Sequence, residues 1–146
     1  MEEVPDEMET LPIGQAQVVK EGTDITVVSF GASLRASLEA VEELEEEENI
    51  SVEVIDLLTV SPMDHKTITE SVMKTGRVVV VHEAPRNCGI GAEVIARINE
   101  HALMYLEAPI KRVTGFDVPI PYFSKERFYI PDTNRIMHGI KETINF

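Results

Sequence analysis

The sequence predicts an α/β fold, a three-layer α/β/α sandwich around a mostly parallel sheet. Three observations predict it. Short β-branched runs recur along the chain, and segments with apolar residues at helical spacing separate them. One of the runs, Val78 to Val81, holds four consecutive valines, the pattern of a strand buried on both faces. Crossovers between such strands are expected to be right-handed.

Taken in order, Ile25-Thr-Val-Val-Ser-Phe30 is the first clear strand, ending at Gly31. Ser33 is expected to cap the helix that follows, whose apolar positions are Leu34, Leu38, Val41 and Leu44. Ser51 to Leu57 forms the next strand. Ser61-Pro-Met-Asp64 reads as a helix start, with Ser61 as cap, Pro62 at the first helical position and Asp64 completing a box-like pair. Ile68 and Val72 give this helix its buried stripe, and Gly76 stops it. Arg77 to Val81 is a third strand. Gly91 opens a helix carrying Val94, Ile95, Ile98, Ala102 and Tyr105 on one side. Ile110 to Thr114 is a fourth strand. Residues 115–131, rich in proline and aromatics, are expected to form an ordered surface loop. Asp132 caps a last helix with Ile136, Met137, Ile140 and Ile144 on its inner side. Gln15 to Val19 is a weaker run that fits an edge strand. No internal repeat is present.

The 146 residues carry 26 acidic and 13 basic side chains, a net charge of -13. Two stretches account for most of it. Glu2, Glu3, Asp6, Glu7 and Glu9 lie in one, and Glu42, Glu43, Glu45, Glu46, Glu47 and Glu48 in the other. Without those eleven acids the balance is 15 acids to 13 bases. The first stretch contains Pro5 and is followed by Pro12, so residues 1–14 read as a linker or arm and residues 15–146 as the domain. The second ends a helix, where carboxylates oppose the macrodipole and need solvation. The acidity argues against a broad nucleic-acid-binding field. No apolar run approaches the roughly 20 residues that span a bilayer. The single cysteine excludes an internal disulfide and a cysteine-based zinc site. No secretory apolar region stands near the N-terminus. A soluble, intracellular domain is the default expectation.

In open α/β sheets, ligands bind beyond the carboxyl ends of the strands. The segment most loaded with chemistry there is His82 to Gly91, with His82, Glu83, Arg86, Asn87 and Cys88 ahead of Gly89 and Gly91. The helix start at Gly91 is a candidate anion site. Its two glycines lack the third of a dinucleotide fingerprint and the Lys-Ser/Thr of a phosphate loop. His82 and Glu83, adjacent on a strand, point to opposite faces and form no acid–base pair. A hydrogen-bonded packing role is the plainer reading of His82. Cys88 lacks a legible base and oxyanion site. His65, His101 and His138 show no metal spacing, and Asp117 is expected to cap backbone. No complete catalytic set and no metal site emerge, which fits a domain that assembles with others.

Two segments resemble a known family. His82-Glu-Ala-Pro-Arg-Asn-Cys-Gly-Ile-Gly-Ala-Glu93 and Leu106-Glu-Ala-Pro-Ile-Lys-Arg-Val-Thr-Gly-Phe-Asp-Val-Pro-Ile-Pro121 are similar to motifs of the beta subunits of 2-oxo acid dehydrogenase decarboxylating components. Val4-Pro-Asp-Glu and Leu11 to Gly22 resemble the linker and edge strand leading into the last domain of those subunits. Phe128-Tyr-Ile-Pro-Asp132 and Thr143-Ile-Asn-Phe146 lean toward the branched-chain rather than the pyruvate type.

The resemblance implies the transketolase C-terminal-type domain, a five-stranded sheet with one antiparallel edge strand. It implies a part in decarboxylating a 2-oxo acid on thiamine diphosphate and Mg, and in reductive acylation of lipoyl groups, by a heterotetramer of alpha and beta subunits. The residues that hold the cofactor are supplied elsewhere in that assembly, so this domain alone is expected to bind none and to be non-catalytic. The implied partners are the alpha subunit, the second beta subunit and the peripheral-subunit-binding domain of the lipoyl acyltransferase. Glu107 and the terminal carboxylate of Phe146 are placed at the last of these contacts. A solvated helix-end glutamate and a frayed terminus are the plainer alternatives. His82, Glu83, Arg86, Asn87, Gly89 and Gly91 are candidates for an interface or for a small regulatory anion. The back domain of a transketolase-like enzyme is a further alternative.

Overall fold

A computed structural model of the chain describes residues 10–146. The elements run β1 (Gln17–Lys20), β2 (Ile25–Ser29), α1 (Ser33–Glu48), β3 (Val52–Asp56), α2 (His65–Thr75), β4 (Val78–Pro85), α3 (Gly91–Ala102), β5 (Lys111–Gly115), α4 (Glu126–Tyr129) and α5 (Thr133–Ile144). Single 3₁₀ turns stand at Leu103–Tyr105 and Phe123–Lys125. The sheet order is β1-β3-β2-β4-β5, with β1 antiparallel to β3 and every other pair parallel. The five-stranded, mostly parallel sheet expected from the sequence is the one observed.

The four valines of β4 explain its position. β4 lies between β2 and β5, so both faces of Val78 to Val81 are covered and all four are fully buried. Val79 and Val81 pack with Ile25, Val27, Val41, Leu44, Ile136 and Ile140 on the α1/α5 side. Val78 and Val80 pack with Val28, Ile55, Ile68, Val72, Val94 and Ile98 on the α2/α3 side. Thr26 is a polar residue in the buried β2. Its hydroxyl is satisfied by Ser71 and Thr75 of α2, each at 2.7 Å.

Several local expectations are corrected. Ser33 does not cap α1: it is the first helical residue, buried, with no hydrogen bond to its hydroxyl. The turn is made instead by Gly31, whose carbonyl accepts the Leu34 N–H at 3.2 Å. The buried stripe of α1 is Ser33, Ser37, Ala40, Val41 and Leu44, while Leu34 and Leu38 are half-buried. Small residues at 33, 37 and 40 let the helix sit close to the sheet.

Ser61 is not the cap of α2, which starts three residues after Pro62. Asp64 is the cap, because its carboxylate can do more than a serine hydroxyl. It accepts the Thr67 N–H at 3.2 Å, the Thr67 hydroxyl at 2.7 Å and, from the chain ahead of β1, the Ala16 N–H at 3.0 Å. Burial opposes ionisation of Asp64, but these donors outweigh it and hold its pKa below the usual carboxylate range. Gly76 ends α2 in the left-handed region, at φ 68°, as expected.

Tyr105 does not belong to the buried side of α3, since the chain tightens to a 3₁₀ turn after Ala102 and leaves it half-exposed. The arm expected over residues 1–14 lies largely outside the described residues. Its described end is held at Gly14, whose N–H donates to the Thr59 hydroxyl at 3.0 Å. The acidic stretch in α1 is mostly exposed, with Glu45 paired to Lys20 at 2.8 Å and Glu48 to Lys141.

Candidate functional site

The sheet order reverses direction between β2 and β4. The carboxyl ends of these two strands therefore flank the crevice where such folds take ligands. Here that crevice is filled. β4 continues through Pro85, so His82 is a strand residue with no solvent exposure, and its ring lies beside that of Phe30, which follows β2. The first turn of α3 closes over the imidazole. A Cβ on Gly91 would lie 2.5 Å from His82 Nε2, and one on Gly89 would lie 2.7 Å from Cε1. Both glycines are therefore needed for this close approach.

Among the described residues, neither ring nitrogen of His82 has a hydrogen-bond partner, nor have the buried hydroxyls of Ser29, Ser33 and Tyr129. Burial, opposed by the nearby Ala84 backbone and reinforced by the Arg112 charge, pushes the His82 pKa below its ordinary value. The imidazole is neutral at pH 7. At the α3 start, the N–H groups of Ala92 and Glu93 are taken by the carbonyls of Gly89 and Ile90.

Glu83, next along β4, is half-buried. Arg86, Asn87 and Cys88 are exposed in the loop that follows. Asp117 acts as its sequence position suggests, accepting the Asn87 N–H at 2.8 Å and so tying the loop after β4 to the loop after β5. Beside this tie, β5, α5 and the loop after β4 line an open cleft of about 360 Å³. Its wall includes Arg86, Lys111, Arg112, Phe116, Arg135 and Glu142. Arg112 donates to the Arg86 carbonyl at 3.0 Å. Arg135 donates to the carbonyls of Tyr129, at 3.2 Å, and Thr114, and lies over the Phe116 ring at 4.6 Å from its centroid.

This cleft was not legible in the sequence, where Arg86, Arg112 and Arg135 stand in three separate segments. Nor was the stacking of His65 on His101, with ring centroids 5.1 Å apart, which joins α2 to α3. Only the count of histidines hinted at it.

Glu107 and Phe146 lie at the opposite end of the molecule. Glu107 follows α3, gives its N–H to Gly76 at the amino end of β4, and pairs with Arg77 at 2.5 Å. Phe146 follows α5, which runs back toward that same end, and is exposed. Among the described residues no group of three or more His, Cys, Asp or Glu side chains could hold a metal ion. No helix among them is long and apolar enough to cross a membrane.

The strand order, the single antiparallel edge and the helix pairs on both faces define the class, a doubly wound α/β domain with a filled switch-point crevice. The chain belongs to the transketolase C-terminal domain family, whose model matches residues 14–136. It is 49% identical over 144 residues to the 2-oxoisovalerate dehydrogenase subunit beta, mitochondrial, of Dictyostelium discoideum, covering 99% of this chain and 39% of that protein. It is 50% identical over 145 residues to the pyruvate dehydrogenase E1 component subunit beta of Staphylococcus aureus, covering 99% of this chain and 44% of that one. The chain thus spans less than half the length of these relatives. Among solved structures it resembles a split gene transketolase, an inactive beta4 tetramer, with a TM-score of 0.81 at 27% identity. That match covers 97% of this chain and 46% of the other. The fold recurs in a 2-oxoglutarate:ferredoxin oxidoreductase from Magnetococcus marinus, with a TM-score of 0.58 at 15% identity, over 89% of this chain and 19% of that one.

Proposed function

We propose that this chain is the C-terminal assembly and docking domain of the beta subunit of a thiamine-diphosphate-dependent 2-oxo acid dehydrogenase. In that reading the full heterotetramer decarboxylates the 2-oxo acid and acylates lipoyl groups, and the domain alone does neither. The observation that carries it is the identity of about half of all residues with two such subunits over 99% of this chain. In this reading cofactor and metal would be held by the rest of the assembly. A cytoplasmic location, or the mitochondrial matrix in a eukaryote, follows from the same reading.

The partners would be the alpha subunit, a second beta subunit and the peripheral-subunit-binding domain of the lipoyl acyltransferase. Glu107 and Phe146 would lie on the docking face at the amino end of the strands, where the Glu107 carboxylate can meet a basic binding domain. Glu107 already shares its charge with Arg77, which fixes its direction. Titrating the binding domain into the assembled heterotetramer tests this. Binding is expected to weaken about tenfold in Glu107→Gln, as loss of one charged hydrogen bond implies, and further when Phe146 is deleted. Undiminished affinity in both variants would overturn the docking role while leaving the family membership intact.

A further inference from the structure

The distribution of paired and unpaired cations singles out one face. The chain has 13 Lys and Arg residues. Eight of them, Lys20, Arg35, Lys66, Lys74, Arg77, Arg97, Lys111 and Lys141, lie in ion pairs. Arg86, Lys125, Arg127, Arg112 and Arg135 pair with no carboxylate among the described residues. Three of these five, Arg86, Arg112 and Arg135, line the same 360 Å³ cleft between β5, α5 and the loop after β4.

Two of the three guanidiniums are also held in place. Arg112 is pinned through one nitrogen to the Arg86 carbonyl, which leaves its remaining N–H groups for another acceptor. Arg135 is held by two carbonyls and by the face of Phe116. None of these contacts neutralises charge. With Lys111 the cleft wall has four cations against two carboxylates, Asp117 and Glu142, and Glu142 is engaged by Lys111. Three guanidiniums lining one concave space, two of them held in place, suit a multiply charged, tetrahedral oxyanion. The volume suits a small molecule rather than a helix or strand of a partner. The half-exposed Phe116 offers an apolar wall for its organic part.

We propose that this cleft binds a small organic phosphate, a phosphate ester or diphosphate, with Arg86, Arg112 and Arg135 holding the phosphate. The site is separate from the start of α3, where two N–H groups are already used, and from the Glu107 end. It stands whether or not the docking reading does.

The test is calorimetric titration of inorganic pyrophosphate and inorganic phosphate into the 146-residue chain at ionic strength fixed with chloride. Amide chemical shifts are followed in parallel. Saturable pyrophosphate binding is expected, tighter than that of phosphate, with shifts gathered at residues 111–117 and 135–139. Arg112→Gln and Arg86→Gln should each weaken it about tenfold or more. The Arg86 side chain is exposed and only its carbonyl holds Arg112, so that variant keeps its fold, which a matching thermal melt checks. Absence of saturable binding by the folded chain would overturn the proposal. So would affinity unchanged in both variants, or shifts centred on residues 89–94. If the variants lose alpha-subunit binding while the wild type takes no pyrophosphate, the cleft is a protein contact and the proposal fails.

Discussion

At the residue scale, two buried ionisable groups contribute to the response to acid, and they do so differently. The side chain of Glu53 on β3 is only 2% exposed and faces Lys74 of α2. Burial favours its neutral form, but the Lys74 ammonium and the Ser71 hydroxyl outweigh that and hold its pKa below the usual carboxylate range. A depressed carboxylate pKa contributes stability that is complete above the unfolded value of about 4 and lost as pH falls through the folded value. Lys74→Met leaves the carboxylate buried without its cation. It should cost about 1–3 kcal/mol in urea unfolding at pH 7, and less at pH 3, where Glu53 takes up protons. His82 has the same sign for another reason. Its folded pKa is depressed, so the unfolded chain binds the proton first. The associated stability is full above about pH 6.5 and falls as pH drops through the folded value. His82→Leu removes both unpartnered nitrogens. The variant is expected to melt no lower than wild type at pH 5.5 and to lose the slope of Tm against pH between 5 and 7. A retained slope would assign the effect to other groups.

At the element scale, the junction of β4 with α3 depends on what is missing from two glycines. In Gly91→Ala the new methyl meets the His82 ring. About 1–3 kcal/mol of destabilisation is expected, the usual cost of overpacking. The double variant with His82→Ala should recover part of it, since residues in contact couple. Asp64 is the other junction, because one carboxylate caps α2 and fastens Ala16 ahead of β1. Asp64→Ala should cost about 1–2 kcal/mol, the range of a lost cap, and raise hydrogen exchange in β1 as well as α2. The same elements show how far the sequence could be read. The strands were legible because β-branched runs in a doubly covered sheet leave little choice. The Asp132 cap and the Gly76 stop were legible because their partners are three or four residues away. The cap of α2 was misplaced because a proline-first signal competed with a carboxylate whose third bond comes from Ala16, 48 residues distant.

At the scale of the whole molecule, one end and one segment carry the surface that asks for partners. Phe116, Val118, Ile120, Tyr122 and Phe128 are all exposed between β5 and α5. Exposed apolar side chains in such number along one segment mark contact surfaces. Light scattering after size exclusion is expected to show association of the chain with itself or with the alpha subunit. Asp substitution at Ile120 and Tyr122 should abolish it without changing the melt. The candidate site was half legible for a related reason. The His82 to Gly91 segment is contiguous, so its chemistry could be listed. The Arg86–Arg112–Arg135 cleft and the Glu107–Phe146 end are assembled by the topology and have no signature in any short window.

The strand order has a further consequence, for how the chain reaches this structure. The central strand pairs Ile25 with Val52, 27 residues on, and Thr26 with Val78, 52 residues on. The edges join Gln17 to Asp56 and Val79 to Lys111, 39 and 32 residues apart. No strand pair is a hairpin, so each closure costs loop entropy before any contact rewards it. The β2–β3 pair closes the shortest loop and is the natural nucleus. Until β4 arrives, the open side of β2 is an unpaired, valine-rich edge, and this interval of folding is the one most exposed to aggregation.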